Sequence, residues 1–276
     1  MRKLILNFLL ILIVFLFACK KAYLDKPSPK PQVDPPSMIL KGFTAGIGAN
    51  IGGYYAGIPG AYDHETKSYP LLLYMHGGGQ FGNGDVDLPN LLSEGIPALL
   101  DTKKFPPAIN SNGQVYSFLV LVPQFRSYPS NTDIQTFLEY ARKNYRIDAT
   151  RLYVTGFSIG GKITCDFASE NASIISAIVP IAGASSDPLE EKCKNIVESK
   201  LPVWAFHNEQ DELISVNETK NFISALKNFS PLIQPKLTLF ANSSALLKHD
   251  AWTRATDPEY RENGMNIYEW MLQYKR

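Results

Sequence analysis

The sequence is poor in the residues that build metal sites, and it carries almost no excess of either charge. Three cysteines and four histidines occur among its 276 residues, and their spacing fits no metal-binding pattern. Lysine and arginine (27) nearly balance aspartate and glutamate (26), so the net charge is +1. Internal repeats and basic clusters are also missing from the sequence. We therefore expect no metal, no organic cofactor and no nucleic-acid partner.

The beginning of the sequence carries the pattern of an export signal. Arg2 and Lys3 precede an apolar stretch over residues 4–17 that is interrupted by Asn7, as in a secretory signal peptide. The stretch is shorter than the roughly 20 residues that a transmembrane helix needs. It ends in Leu-Phe-Ala-Cys, which resembles the lipobox of bacterial lipoproteins. This resemblance implies lipidation at Cys19, with an unlipidated signal peptide and a retained anchor as the alternatives.

A proline-rich segment separates this signal from the rest of the chain. Residues 20–37 contain five prolines and almost no apolar periodicity, so they are expected to form an extended tether. We divide the chain into a signal peptide (1–18), a tether (19–40) and one domain (41–276). We expect the exported domain to be held by its lipid on the periplasmic or cell-surface side of a bacterial membrane.

Apolar runs alternate with helical patterns throughout the predicted domain. Such alternation predicts an α/β fold with a mostly parallel central sheet and helices on both faces. Residues 42–62 predict two antiparallel edge strands with a turn near 50–53. The predicted parallel strands are residues 70–75, 116–122, 152–157, 174–182, 203–206 and 237–240.

Helices are predicted where apolar residues recur every three or four positions. Thr132 and Gln135 form a capping-box pattern before one helix, and Asn217 is the predicted cap of another. Residues 80–114 lack clear periodicity and follow a glycine run, so we expect them to lie over the functional site. The predicted helical segments are residues 132–145, 159–167, 217–229 and 267–271.

The two cysteines of the predicted domain, Cys165 and Cys193, are expected to be structural thiols. A buried free cysteine behaves as a small apolar residue. A disulfide between the two is the alternative in an oxidising periplasm.

One serine lies in a pattern that exposes a nucleophile. The predicted strand 152–157 runs into Gly-x-Ser-x-Gly, centred on Ser158, and a helical pattern follows. A strand, a tight turn and a helix form the structural context of a nucleophile elbow. Glycines at 156 and 160 leave room for the crowded turn. The alternative is an ordinary serine in a glycine-rich turn.

A serine nucleophile needs a base, and the base needs a group that holds its tautomer. His249 follows the last predicted strand and is the best-placed base. Asp211 follows strand 203–206 and is the favoured acid. The other candidate acids are Asp187, Glu209 and Asp250. The other histidines are assigned to a polar loop (His64), to a structural role beside the glycine run (His76) and to a strand end (His207).

The glycine run after strand 70–75 predicts an oxyanion hole. Glycine lets the backbone approach a substrate carbonyl closely. The main-chain N–H groups of Gly78 and Ile159 are the predicted donors, and Gly79 is the alternative to Gly78. Trp252 and Gln124 are weaker candidates for substrate contact.

These segments together resemble the α/β-hydrolases, and more narrowly the secreted esterases and peptidases related to polyhydroxybutyrate depolymerases and feruloyl esterases. The matching segments are residues 69–79, 156–161, 203–207 with Asp211, and 249–252. The resemblance implies an α/β-hydrolase catalytic domain over residues 41–276 and a Ser158–His249–Asp211 triad. It departs at Asn208, where the family usually has glycine, and at Lys162, a cation in the first turn of the nucleophile helix.

The function implied by the resemblance is hydrolysis of carboxylic esters through an acyl-enzyme. The expected substrate is a small-molecule or glycan-linked ester. One alternative is a serine peptidase of the prolyl-oligopeptidase type, although the usual large propeller is missing from the sequence. The other alternative is a surface lipoprotein of low activity that binds a glycan or a partner.

Overall fold

The computed structural model describes residues 36–185, 189–241 and 248–276. The predicted signal peptide, Cys19 and most of the tether lie outside these ranges, as does the candidate acid Asp187. Each helix within them is too short or too polar to cross a bilayer.

An eight-stranded sheet forms the centre of the domain, in the order β1-β2-β6-β3-β7-β8-β9-β10. The first two strands are antiparallel, and the other six run parallel. Strands β4 and β5 form a separate hairpin. The strands are β1 (Ile39–Ile47), β2 (Ile51–Ile58), β3 (Tyr69–Met75), β4 (Ile109–Ser111), β5 (Gln114–Tyr116), β6 (Leu119–Phe125), β7 (Ile147–Phe157), β8 (Ala177–Ile181), β9 (Trp204–Asn208) and β10 (Lys236–Phe240).

Helices cover both faces of the sheet, because its central strands are apolar on both sides. All seven residues of β3 are buried. Leu71, Leu73 and Met75 join one apolar cluster, whereas Leu72 and Tyr74 join the other. The predicted fold class is therefore confirmed. The helices are α1 (Gly95–Asp101), α2 (Asn131–Asn144), α3 (Ile159–Asn171), α4 (Leu189–Glu198), α5 (Val216–Asn228), α6 (Trp252–Ala255) and α7 (Ile267–Met271).

Several predicted boundaries differ from the structure. Strand β2 is not an edge strand, because it pairs with β6 as well as β1. The hairpin turn lies at residues 48–50 and overlaps the predicted turn near 50–53 only at residue 50. The predicted strand 116–122 is divided between β5 and β6, and α4 was not predicted.

Both predicted helix caps are displaced by two residues. Ser130 caps α2, with its hydroxyl accepting from the Asp133 N–H and the Asp133 carboxylate accepting from the Ser130 N–H. This reciprocal pair begins the helix before Thr132 is reached. Ser215 caps α5 in place of Asn217.

Cys165 and Cys193 are both free and buried, as predicted. Burial raises the pKa of the Cys165 thiol and raises that of Cys193 to about 12. Both sulfur atoms therefore remain thiols near neutral pH and act as packing groups.

Candidate active site

The sharp turn at Ser158 joins the end of β7 to the start of α3. Ser158 has φ +55° and ψ −124°, a conformation that is strained for a residue with a side chain. A Cβ at Gly156 or Gly160 would overlap the carbonyl oxygen of Met75 on the neighbouring strand. The Ser158 N–H donates to the Ile181 carbonyl at 2.8 Å. The predicted elbow conformation is thus present, and β3 and β8 hold it from both sides.

The glycine run continues directly from β3 into a short 3₁₀ turn, Gly78–Gln80. A Cβ placed on Gly78 would lie 3.3 Å from Cγ1 of Ile159, so the two segments are in contact. Gly78 and Ile159 each occupy the first position of a helix, where the N–H has no acceptor within that helix. Gly79 faces open space. The predicted oxyanion donors therefore lie on adjoining segments.

His76 has a structural role in this loop, as its position predicted. Its Nδ1 donates to the Gly77 carbonyl at 2.8 Å, and its Nε2 accepts from the Phe125 N–H at 3.0 Å. Both ring nitrogens are therefore used by backbone groups of a neutral imidazole. Burial lowers the pKa of His76 to about 4, so the ring remains uncharged above that pH.

Gln80 fixes the same loop, a role that the sequence did not predict. Its Oε1 accepts from the Gly77 N–H at 3.1 Å, and its Nε2 donates to the Asn90 carbonyl and to Ser93 Oγ, each at 3.1 Å. The glycine run is thereby joined to the 3₁₀ helix Leu88–Ser93. No local pattern identifies such an amide, because the acceptors of its Nε2 lie ten or more residues away.

Gln124 was proposed as a substrate contact, but the structure gives it a different environment. The side chain has no exposed surface. Its Oε1 accepts from the Gly84 N–H at 2.8 Å, and its Nε2 donates to the carbonyls of Gln80 and Asp87. With every polar atom paired to the backbone, this amide supports the loop over residues 80–87.

The candidate acid and the candidate base are in direct contact. Asp211 Oδ2 lies 2.6 Å from His249 Nδ1. Asp211 Oδ1 accepts from the N–H groups of Leu213 and Ile214, both at 2.9 Å. The carboxylate has no exposed surface. Four groups thus hold it, once the contact from His207 described below is included.

The competing acids that the structure describes are placed differently. Asp250 Oδ1 accepts from the Thr253 N–H at 2.8 Å, at the start of α6. Glu209 is exposed on the turn before Asp211. Neither is hydrogen-bonded to His249, which selects Asp211 among the described candidates.

His249 presents an unused ring nitrogen. Because Nδ1 faces a carboxylate, it carries the proton, and Nε2 retains its lone pair. Nε2 is buried and has no hydrogen-bond partner among the described residues, so it is not bonded to the Ser158 hydroxyl. Such a bond is often long in the absence of substrate and tightens when substrate binds.

Trp252 was a second candidate for substrate contact, and it lies between the histidine and the elbow. Its ring contacts the His249 ring edge-on, with centroids 5.1 Å apart, and packs on Phe157 at 4.2 Å. Only 6% of the residue is exposed. This packing links His249 to the residue that precedes Ser158.

A second histidine contacts Asp211 and was predicted only as a strand end. His207 Nε2 lies 3.2 Å from Asp211 Oδ2 and 3.1 Å from the Ile214 carbonyl. Two acceptors at Nε2 require the proton there, so Nδ1 accepts from the Thr219 hydroxyl at 2.7 Å. Burial lowers the pKa of His207. In the part of the chain that the structure describes, no group of three acidic, histidine or cysteine side chains is arranged to hold a metal ion.

Comparison with known proteins finds the same fold. Residues 119–243 match the dienelactone hydrolase family. A bifunctional acetylxylan esterase/xylanase of Neocallimastix patriciarum is 26% identical over 121 residues, which make up 41% of this chain and 17% of that protein. The structure of a thermostable esterase superimposes with a TM-score of 0.63 and 21% identity, covering 87% of this chain and 64% of the esterase.

The chain has the α/β-hydrolase fold. A feruloyl esterase module from Clostridium thermocellum, solved with sinapinate, has the same fold, with a TM-score of 0.54 and 17% identity over 87% of this chain and 92% of the module. The match to the dienelactone hydrolase family includes Ser158 and Asp211 and ends before His249.

Proposed function

We propose that this α/β-hydrolase cleaves carboxylic esters with Ser158 as the nucleophile, His249 as the base and Asp211 as the acid. The observation that carries the proposal is the buried 2.6 Å contact between Asp211 and His249. It leaves Nε2 as an acceptor with no partner among the described residues. The esterases among the similar proteins support the same chemistry.

In the proposed reaction, His249 Nε2 takes the hydroxyl proton as Ser158 Oγ attacks the ester carbonyl carbon. The N–H groups of Gly78 and Ile159 stabilise the oxyanion, with Gly79 as the alternative donor. His249 then gives the proton to the departing alkoxide, and an acyl-enzyme remains. Water attacks this intermediate and His249 takes the water proton. His249 then returns the proton to Ser158 Oγ as the carboxylic acid leaves.

The proposed substrates are glycan-linked or small-molecule esters. The acetylxylan esterase/xylanase supports acetylated glycans, and the feruloyl esterase module supports hydroxycinnamoyl esters. Direct turnover of acetylated xylan fragments, methyl ferulate and short p-nitrophenyl esters would rank these groups. Peptide amides belong in the same panel, because amide cleavage without ester cleavage would instead support a peptidase.

The deciding experiment compares the chain with Ser158→Ala. We expect the substitution to reduce ester turnover by about 10⁴-fold or more, since removing the nucleophile leaves only binding and oxyanion stabilisation. Ser68→Ala, an exposed serine just before β3, is the matched control. Retention of turnover in Ser158→Ala, or a wild type that cleaves no ester and resists a fluorophosphonate probe, would reject the proposal.

We also propose that the chain is exported and lipid-anchored through Cys19. The lipobox-like sequence before this residue supports the proposal. Metabolic labelling with an alkyne fatty acid should modify the wild type and leave Cys19→Ala unmodified. Equal labelling of both proteins would remove the anchor from the proposal.

A further inference from the structure

Asn208 is a buried polar residue at the end of β9, one of the positions where the sequence departs from the family that it resembles. Only 2% of the residue is exposed. Its Nδ2 donates to the Lys248 carbonyl at 2.7 Å. Lys248 directly precedes His249, so this hydrogen bond attaches the backbone immediately before the candidate base to the end of β9.

The same residue belongs to the turn that presents the acid. The Asp211 N–H donates to the Asn208 carbonyl at 3.3 Å. Asn208 therefore bonds the acid turn through its backbone and the histidine segment through its side chain. Glycine at this position could supply the first bond and not the second, because it has no side-chain amide.

The backbone conformation of Lys248 makes the hydrogen bond to its carbonyl important for the position of His249. Lys248 has φ +51°, a left-handed conformation that costs energy for a residue with a side chain. The orientation of its carbonyl sets the direction in which the chain enters His249. A second link, the ion pair between Lys248 Nζ and Glu212 at 3.0 Å, has 39% and 51% of the two side chains exposed. Exposed pairs of this kind contribute little.

We infer that Asn208 is a positioning residue: its amide holds the backbone before His249 against the acid turn, so that Nδ1 remains on Asp211. The inference rests on the proposed triad. Asn208, and not the Lys248–Glu212 ion pair, keeps the His249 ring in contact with the Asp211 carboxylate.

The test uses two substitutions of the full chain, Asn208→Ala and Asn208→Asp. The first removes the donor, and the second keeps the volume but turns an acceptor toward the Lys248 carbonyl. Glu212→Gln removes the exposed ion pair and is the matched control. Thermal unfolding identifies the variants that remain folded, and the isosteric Asn208→Asp serves if Asn208→Ala does not fold.

We expect both Asn208 variants to lower kcat for a p-nitrophenyl ester by about 10–100-fold, since a small displacement of a catalytic group has effects of this size. KM should change by less than about threefold, and Glu212→Gln should remain within about twofold of the wild type. A folded Asn208 variant with unchanged kcat, or an equal loss in Glu212→Gln, would overturn the inference.

A second readout does not depend on turnover. The low-field proton NMR resonance of the His249 Nδ1–H, identified by its absence in His249→Gln, should broaden or shift in both Asn208 variants and persist in Glu212→Gln. An unaltered resonance in Asn208→Asp would contradict the positioning role. If the wild type showed this resonance but no ester turnover, the proposed function would fail while the structural claim remained testable.

Discussion

The two sides of the candidate site are held by different kinds of side chain. On the glycine side, the neutral groups of His76, Gln80 and Gln124 hold the loop through backbone partners. On the acid side, the Asp211 carboxylate is surrounded by two histidine nitrogens and two N–H groups. One side is held by uncharged groups, and the other centres on a buried carboxylate.

This difference agrees with what the proposed reaction requires of the two sides. An oxyanion is stabilised best by N–H dipoles that are already fixed before the reaction. A base must accept and return a proton, and a neighbouring carboxylate stabilises the imidazolium that forms. We therefore expect substitutions on the acid side to act mainly on kcat. Those on the glycine side should act on stability, with a loss of kcat where the residue holds Gly77.

Among the substitutions that compare the two sides, the largest effect is expected from Asp211→Asn. The amide can no longer hold the Nδ1–H tautomer of His249, and a similar change in a serine protease lowers kcat by about 10⁴-fold. Steady-state kinetics on a p-nitrophenyl ester measures the loss. Glu209→Gln alters an exposed carboxylate on the same turn and should remain close to the wild type. Similar rates for Asp211→Asn and the wild type would remove Asp211 from the triad.

The glycine side should respond to pH through His76. Its pKa in the folded state is about 4, below the unfolded value near 6.5, because burial disfavours the charged ring. The unfolded chain therefore binds more protons between these values, and stability falls as the pH drops through this window. The contribution is complete above pH 6.5 and reaches a loss of about 3 kcal/mol near pH 4.

Urea unfolding of the wild type and His76→Gln at several pH values tests this expectation. His207 is also buried with a lowered pKa, and it contributes to both proteins equally. The variant should be less stable at pH 7, yet its free energy of unfolding should fall less steeply below pH 6.5. Parallel curves for the two proteins would show that His76 is not the group responsible.

The sequence predicts the parts of this site whose chemistry is local. The elbow at Ser158 follows from a strand, two glycines and a helix within a few residues. Asp211 and His249 follow from their order after successive strands. Each of these depends on neighbours in the chain or on the common edge at which parallel strands end.

The supporting groups could not be derived in the same way. Gln80, Gln124 and Asn208 each bond a backbone group that lies 10 to 44 residues away in sequence, and a polar amide has no periodicity to mark its partner. The cap of α2 illustrates a different limit. Ser130 and Thr132 both begin plausible capping patterns, and only the backbone conformation decides that Ser130 is the cap.

The smaller effects are those of Gln80→Ala and its matched variant. Together they distinguish a loss of stability from a loss of kcat on the glycine side. Removing the amide leaves the Gly77 N–H without its acceptor, which costs about 1–3 kcal/mol of stability when the group is buried. The loosened loop should also lower kcat by about tenfold, since a displaced oxyanion donor retains part of its effect.

Gln124→Ala is the matched variant, because it removes an equally buried amide from the other end of the same loop. Thermal unfolding should show a similar loss of stability. The values of kcat and KM should change by less than about threefold, because the hydrogen bonds of Gln124 go to residues 80–87 and not to Gly77 or Gly78. A raised KM for the ester in Gln124→Ala, with stability unchanged, would restore the substrate contact that its position in the sequence first indicated. Equal kcat losses in the two variants would instead show that the whole loop over residues 77–87 moves as one unit, and that the donors are positioned by the loop and not by Gln80 alone.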